Sequence, residues 1–266
     1  MTTIALPAML PTQTASWLGL FDLADRMPDG WTLVGGQMVQ LHCFERDFEP
    51  VRATTDVDTV LHVREQPNAL MSITQVLSEI GFVTDLAMSV GDINHRWRRD
   101  EAVIDVLIPR FLGPVGSARP DIHGAPGLET PGAQKQIDRS EQVTVVIGDR
   151  FAVINRPTIV GSLIGKASAL LLPGDVRRHL EDFVVMAVLV RPEDFASDRL
   201  NRLDMDRLTH AIGKLRRDHP TIIALVDGGA VALDRLSAYL SRVSQPTPQP
   251  AQRSTPEWAT PKGKRE

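Results

Sequence analysis

Three aspartates on short apolar segments are the residues of this chain best suited to chemistry. Asp56 and Asp58 form an Asp-x-Asp pair in Arg52-Ala-Thr-Thr-Asp56-Val-Asp58-Thr-Val, and Asp105 lies within Ala102-Val-Ile-Asp105-Val-Leu-Ile108. A Gly-Gly turn, Leu33-Val-Gly35-Gly36-Gln37, precedes them. Aspartates in apolar, β-rich runs are costly to bury uncompensated, and a divalent cation is the natural compensator. Two carboxylates on one face can bridge two Mg²⁺ ions, while a third completes one ion's shell and draws a proton from an attacking hydroxyl. With a backbone loop able to hold phosphate, these are the parts for metal-assisted nucleotidyl transfer.

The pair alone is a weak signal. With 22 Asp among 266 residues, about two such pairs arise by chance. The chain holds two, and the second, Asp204/Asp206, falls in an amphipathic helical pattern where positions i and i+2 share no face. It reads as solvated surface. The first pair is distinguished by its context: a strand, a preceding glycine turn and a later apolar strand carrying Asp105.

The elements that position these residues follow from periodicity. Trp17, Leu20, Phe21 and Ala24 have helical spacing, and Pro28-Asp29-Gly30 stops that helix, predicted from about Thr12 to Met27. Trp31–Val34 reads as a strand that Gly35-Gly36 turns into a helix bearing Met38, Val39, Leu41 and His42. Strand, glycine turn, helix start aims free N–H groups and the positive helix end at an anion. Asp56 to Val63 alternates as a strand and puts Asp56 and Asp58 on one face. A helix over 68–80 ends at Gly81, and strands follow near 82–86, 93–98 and 102–108.

Residues 113–134 have loop chemistry, and 142–147 with 150–154 form a hairpin around Gly148-Asp149. Pro157 is expected to open a helix to about Leu172, and Asp175 to N-cap another running to Val190, with further helices over 202–217 and 230–242. The expected class is α+β: a small mixed sheet with a C-terminal helical bundle. The predicted domains are a catalytic core (12–112), a loop and hairpin (113–156), a helical domain (157–243) and a Pro-rich, disordered tail (244–266).

Composition narrows the alternatives. At 42% hydrophobic and 23% charged the chain is of ordinary globular type. A single cysteine, Cys43, excludes an internal disulfide and fits a reducing cytoplasm. No signal peptide or membrane-spanning run is expected. Scattered histidines without a cysteine cluster argue against zinc, and neither a P-loop nor a Gly-x-Ser-x-Gly elbow is present. The net charge of −4 gives no global pull toward nucleic acid, so any RNA contact needs local patches. Candidates are Arg96-Trp97-Arg98-Arg99, whose Trp97 could stack one base, and Arg177-Arg178-His179, though solvated faces are the more ordinary reading of each.

The order of an apolar strand, Gly-Gly, Asp-x-Asp and a later apolar-flanked Asp resembles the DNA polymerase beta-type nucleotidyltransferase superfamily. Leu163-Ile-Gly-Lys166-Ala-Ser-Ala-Leu followed by Arg178-His179-Leu-Glu-Asp182 resembles the Lys-x-x-Ala and Arg-x-x-x-Asp motif of AbiEii-type toxins of type IV toxin-antitoxin systems. The resemblance covers about Trp17 to Val190. It implies phosphate contacts at Gly35 and Gly36, metal binding at Asp56 and Asp58, a third carboxylate role at Asp105, and Lys166 and Asp182 as active-site members. Lys166 would neutralise a triphosphate and Asp182 would orient that lysine or the nucleotide. It further implies an NTP substrate, an RNA acceptor such as the tRNA 3′ end, and an antitoxin partner. The chain departs from the pattern in its long Gly36 to Asp56 spacing, in Gln37 after the glycines, and in Pro173-Gly174 within the helical motif. Transfer to a protein hydroxyl and a non-catalytic nucleotide-binding role are the rival readings.

Overall fold

A computed structural model describes residues 1–88, 92–110, 120–172 and 176–244. The chain enters on a short strand, β1 (Thr2–Ala5), then helix α1 (Pro11–Arg26), whose first position is the proline that a helix start tolerates best. Strand β2 (Trp31–Val34) is wholly buried and runs directly into helix α2 (Gly35–Glu45). Strand β3 (Val57–Leu61), helix α3 (Ala69–Glu79) and strands β4 (Val83–Thr84), β5 (Arg96–Arg99) and β6 (Ala102–Pro109) follow. Apart from β1, these elements agree with the periodicity of the sequence, but β3 is shorter than the expected 56–63 strand and leaves Asp56 just outside it.

One sheet has the order β2-β3-β6-β5-β4, with β7 (Leu128–Thr130) paired to the end of β6. It is mixed: β3 and β6 are parallel, while β2 and β5 run antiparallel to their neighbours. The expected hairpin is β8 (Ser140–Ile147) and β9 (Arg150–Pro157), longer at both ends than its β-branched centre indicates. β1 adds to it in parallel, making a second sheet, β1-β8-β9. Four residues with only Ile4 buried carry too little pattern to be recognised, and pairing with β8 is what makes them a strand.

The helical half comprises α4 (Ala133–Ile137), α5 (Ile159–Ala169), α6 (Arg177–Leu189), α7 (Asp194–Ser197), α8 (Arg202–Asp218), α9 (Pro220–Leu225) and α10 (Gly229–Val243). The mixed sheets and this helical layer make an α+β fold. Pro157 does not open α5, contrary to expectation. It is the last residue of β9, and Thr158 is the N-cap, its Oγ1 accepting from the Gly161 N–H at 3.1 Å. The segment read as loop to 134 contains β7 and the start of α4. Its residues 113–119, the expected cap Asp175, the Pro173-Gly174 interruption and the tail from 245 lie outside the described residues.

The main apolar cluster runs from Ile4 through Trp17, Leu33 and Ile104 to Leu163, Phe183 and Leu240, and a small second one joins Val34 and Val60 to Ala133 and Ile137. Sheet and helices therefore share one core. α5 is buried on every side, so its one lysine, Lys166, cannot reach bulk water freely. Among the described residues no helix is long and apolar enough to cross a membrane.

Candidate active site

Sheet register sets the site. Asp58 of β3 pairs with Asp105 of β6 in the parallel ladder, and Asp105 pairs with Arg96 of β5 in the antiparallel one. Laterally paired residues share a face, so these three side chains form one row across the sheet. Asp56, two residues before Asp58, joins the same end of the row just ahead of β3. The sequence pattern places the aspartates on strands; only pairing brings Asp105 beside Asp58.

Arg96 closes around this row. Its Nε and Nη2 donate to Asp105 Oδ1 at 2.8 Å and Oδ2 at 2.6 Å, a bidentate pair, and Nη2 also reaches Asp56 Oδ2 at 2.9 Å. The Asp105 hydrogen bonds, opposing burial, hold the guanidinium above its ordinary pKa. Asp58 is treated differently. Among the described residues no donor hydrogen-bonds its carboxylate, and burial followed by the charges of Asp105 and Asp56 pushes it up to about 7. It is the carboxylate with the least compensation.

The glycines explain how Asp58 fits. Gly35 has φ +71°, a conformation L side chains rarely adopt, and a Cβ there would overlap the Asp58 carboxylate. A Cβ on Gly36 would lie 2.8 Å from Thr54 Oγ1. Val34, the N-cap of α2, supplies no side-chain cap, so the first N–H groups of that helix have no side-chain acceptor from it.

The long Gly36 to Asp56 spacing is bridged from α2. Gln37 Nε2 donates to the Thr54 carbonyl at 2.8 Å and Gln40 Nε2 to the Arg52 carbonyl at 2.9 Å. Trp17 Nε1 donates to Gln37 Oε1 at 2.8 Å, and Gln13 Nε2 to Gln40 Oε1 at 2.6 Å. Thr54 Oγ1 in turn donates to Asp56 Oδ1 at 3.2 Å. Gln37, fully buried, is thus an anchor for the segment that carries the acidic pair.

The helical half adds a second charged group. Lys166 Nζ of α5 donates to Asp182 Oδ2 of α6 at 2.7 Å, and Arg52 reaches the same carboxylate through Nε at 3.2 Å and Nη2 at 2.9 Å. Burial would raise the Asp182 pKa, but Lys166 and Arg52 outweigh it and hold the carboxyl below its ordinary value. Lys166 also acts on Asp58 electrostatically. A cavity of about 440 Å³ is lined by Gly35, Gly36, Asp56, Asp58, Lys166 and Arg178, with Arg52, Thr54, His179 and Asp182. A larger, mostly apolar groove of about 850 Å³ touches this site only through Arg52 and is lined by none of the aspartates of the row.

The donor chemistry at Asp56 and Asp58 fits a hard divalent cation. Asp58 has carboxylate oxygens without a hydrogen-bond donor among the described residues and lies against two like charges. Three ligands do not already converge: among the described residues no group of three acidic, His or Cys side chains could hold a metal ion as it stands. Asp105, beside them, has both oxygens on Arg96.

The structure reassigns several residues. The patch 96–99 is not a free basic surface: Arg96 holds the acidic row, Arg98 pairs with Asp85 and Arg99 with Asp22. Trp97 is buried and stacks on His123, with ring centroids 5.9 Å apart, so it offers no face to a base. Asp204 is not solvated surface. It is fully buried, closes a capping box with Asn201 and pairs with Arg139 at 2.9 Å. Of the second basic cluster, Arg178 and His179 line the charged cavity.

Arg52, Arg96 and Thr54 are the site residues that pattern reading did not assign. Arg96 could have been placed by counting alternation back along its strand. No local signal marks Arg52, whose partner is 130 residues away. Cys43 is buried behind the site, and burial followed by the Asp182 charge pushes its thiol up to about 12.

No family model and no curated protein matches the chain. Two solved structures are similar in arrangement. The solution structure of antibiotic-resistance factor ANT(2'')-Ia is 13% identical, with a TM-score of 0.42, covering 80% of this chain and 100% of that one. The crystal structure of an antigenic nucleotidyltransferase-like protein from Paracoccidioides brasiliensis is 16% identical, with a TM-score of 0.45, covering 84% of this chain and 91% of that one.

Proposed function

We propose that this chain is a nucleotidyltransferase that moves NMP from an NTP to a hydroxyl acceptor in a Mg²⁺-dependent reaction. The observation that carries the reading is the row itself. Asp58 and Asp105 are in register on adjacent strands, and Asp58 and Asp56 line a cavity together with Lys166 and Arg178. The motif order found in the sequence supports the same reading.

In this reaction the acceptor oxygen attacks the α-phosphorus, the bond from that phosphorus to the bridging oxygen breaks, and pyrophosphate leaves. Asp56 and Asp58 would hold Mg²⁺, which when bound polarises the phosphate and offsets developing charge. The N–H groups at Gly35 and Gly36, at the start of α2, would receive phosphate oxygens. Lys166, oriented by Asp182, and Arg178 supply positive charge for the triphosphate. The acceptor's proton passes to the carboxylate row, to Asp105 in our assignment, once Arg96 releases one of its oxygens.

The finer assignment follows the motif resemblance: a toxin-like protein acting in the cytoplasm on an RNA 3′ end such as that of tRNA, held in check by an antitoxin protein. Purified protein, Mg²⁺ and each α-labelled NTP incubated with total tRNA give the test. Label on RNA supports this acceptor, and label on protein moves the reading to protein nucleotidylation. No transfer with any NTP, and an Asp58→Ala protein indistinguishable from wild type, would reject catalysis.

A further inference from the structure

Arg96 bears on how many cations the acidic row can hold. A second ion shared between Asp56 and Asp105 needs a free oxygen from each, and Mg²⁺ accepts oxygen ligands only at about 2.0–2.1 Å in near-octahedral order. Here a guanidinium stands between those two carboxylates. Nη2 lies 2.9 Å from Asp56 Oδ2 and 2.6 Å from Asp105 Oδ2, and Nε takes Asp105 Oδ1 at 2.8 Å. The arrangement is not an accident of a mobile side chain. Backbone register pairs Arg96 with Asp105 directly, Asp105 is 6% exposed, and the planar fork of arginine matches a carboxylate edge in a way lysine cannot. Asp58, on the other flank of Asp105, has no such partner among the described residues.

We infer that Arg96 takes the place of one metal ion, so that the chain binds a single divalent cation, on Asp56 and Asp58, and a second can enter only when the arginine is removed. The inference deepens the proposed nucleotidyl transfer and rests on it. The arginine holds Asp105 aimed along the row while supplying fixed positive charge where a second ion would otherwise be recruited from solution.

Mn²⁺ serves as the probe, with unbound ion counted by its electron paramagnetic resonance signal. Wild-type protein is expected to bind one Mn²⁺ per chain and Arg96→Met two. Asp105→Asn, in the wild-type background, is expected to leave the count at one and its dissociation constant within about threefold of wild type, a difference of about 0.6 kcal/mol. This second variant decides the matter if Arg96→Met does not fold. Two ions on the wild type, or a tenfold weakening by Asp105→Asn, overturns the inference. The labelled-NTP assay keeps the two readings apart: two ions with transfer intact rejects the arginine's role alone, whereas one ion without transfer rejects the reaction and retains that role.

Discussion

Lys166 Nζ lies 2.7 Å from Asp182 Oδ2, an ion pair between α5 and α6 that is almost fully removed from water on both sides. Breaking one half of such a pair leaves an uncompensated buried charge, which costs about 3–5 kcal/mol. Asp182→Ala should therefore lower unfolding stability by about that amount in urea titration and abolish label transfer. Adding Lys166→Met should return the part of the loss due to the lysine, with Arg52 still lacking its acceptor, and none of the activity. A double variant as unstable as the single one would show that the pair is not the source.

Gly35 and Asp58 make a second testable couple, because the carboxylate occupies the space where a Cβ would be. Gly35→Ala meets two penalties. The positive φ costs about 1–2 kcal/mol for a non-glycine residue, and displacement of Asp58 adds to it. In a double-mutant cycle the Asp58→Ala background should show only the first penalty. Equal costs of Gly35→Ala in both backgrounds would remove the contact from the explanation.

The raised pKa of Asp58 has a direction in stability. Below its ordinary value of 3.8 the carboxyl is neutral in folded and unfolded chains alike, and it adds no cost. Between 3.8 and about 7 the unfolded chain gives up the proton while the fold retains it, so stability declines as pH rises. Above that range the ionised carboxylate imposes its full penalty. The melting temperature of Asp58→Asn should accordingly exceed that of wild type by a margin that grows from pH 4 to 7 and then levels. Saturating Mg²⁺ should narrow the margin at pH 8.

Gln37 joins Trp17 to Thr54 inside the core. Gln37→Leu keeps the volume but strands an indole N–H and a backbone carbonyl, and each buried unpaired group costs about 1–3 kcal/mol. A loss of about 2–6 kcal/mol in urea unfolding is expected, with weaker Mn²⁺ binding because the segment to Asp56 loosens. Unchanged Mn²⁺ affinity in a destabilised protein would limit Gln37 to a packing role.

Much of this arrangement was legible from residue order. The helix over 69–79, the strand that ends at Val34 before the glycine turn and the placement of Asp105 on a strand follow from apolar periodicity and glycine position, which are local properties. What pattern could not reach depends on partners distant in the chain. β1 is a strand because residues 143–146 lie beside it. Asp204 is buried because Arg139 meets it, although its helical phase alone suggests solvent. The arginines of 96–99 are open to reading as a local RNA patch or as solvated faces, and neither reading shows that register sets Arg96 on Asp105 while the side chains of Arg98 and Arg99 reach Asp85 and Asp22. A run of like charge carries no information about whether its counter-charges are internal.

The chain of donors from Trp17 through Gln37 and Thr54 to Asp56 has an optical consequence. An indole is a fluorophore whose emission responds to the hydrogen bond on its nitrogen, and this one is three links from a carboxylate of the acidic row. Cation capture at Asp56 would draw on Thr54, shift the Gln37 amide and alter the bond at the Trp17 ring. On the proposed function, cation binding at Asp56 would thus be readable as a change in tryptophan emission without any attached label.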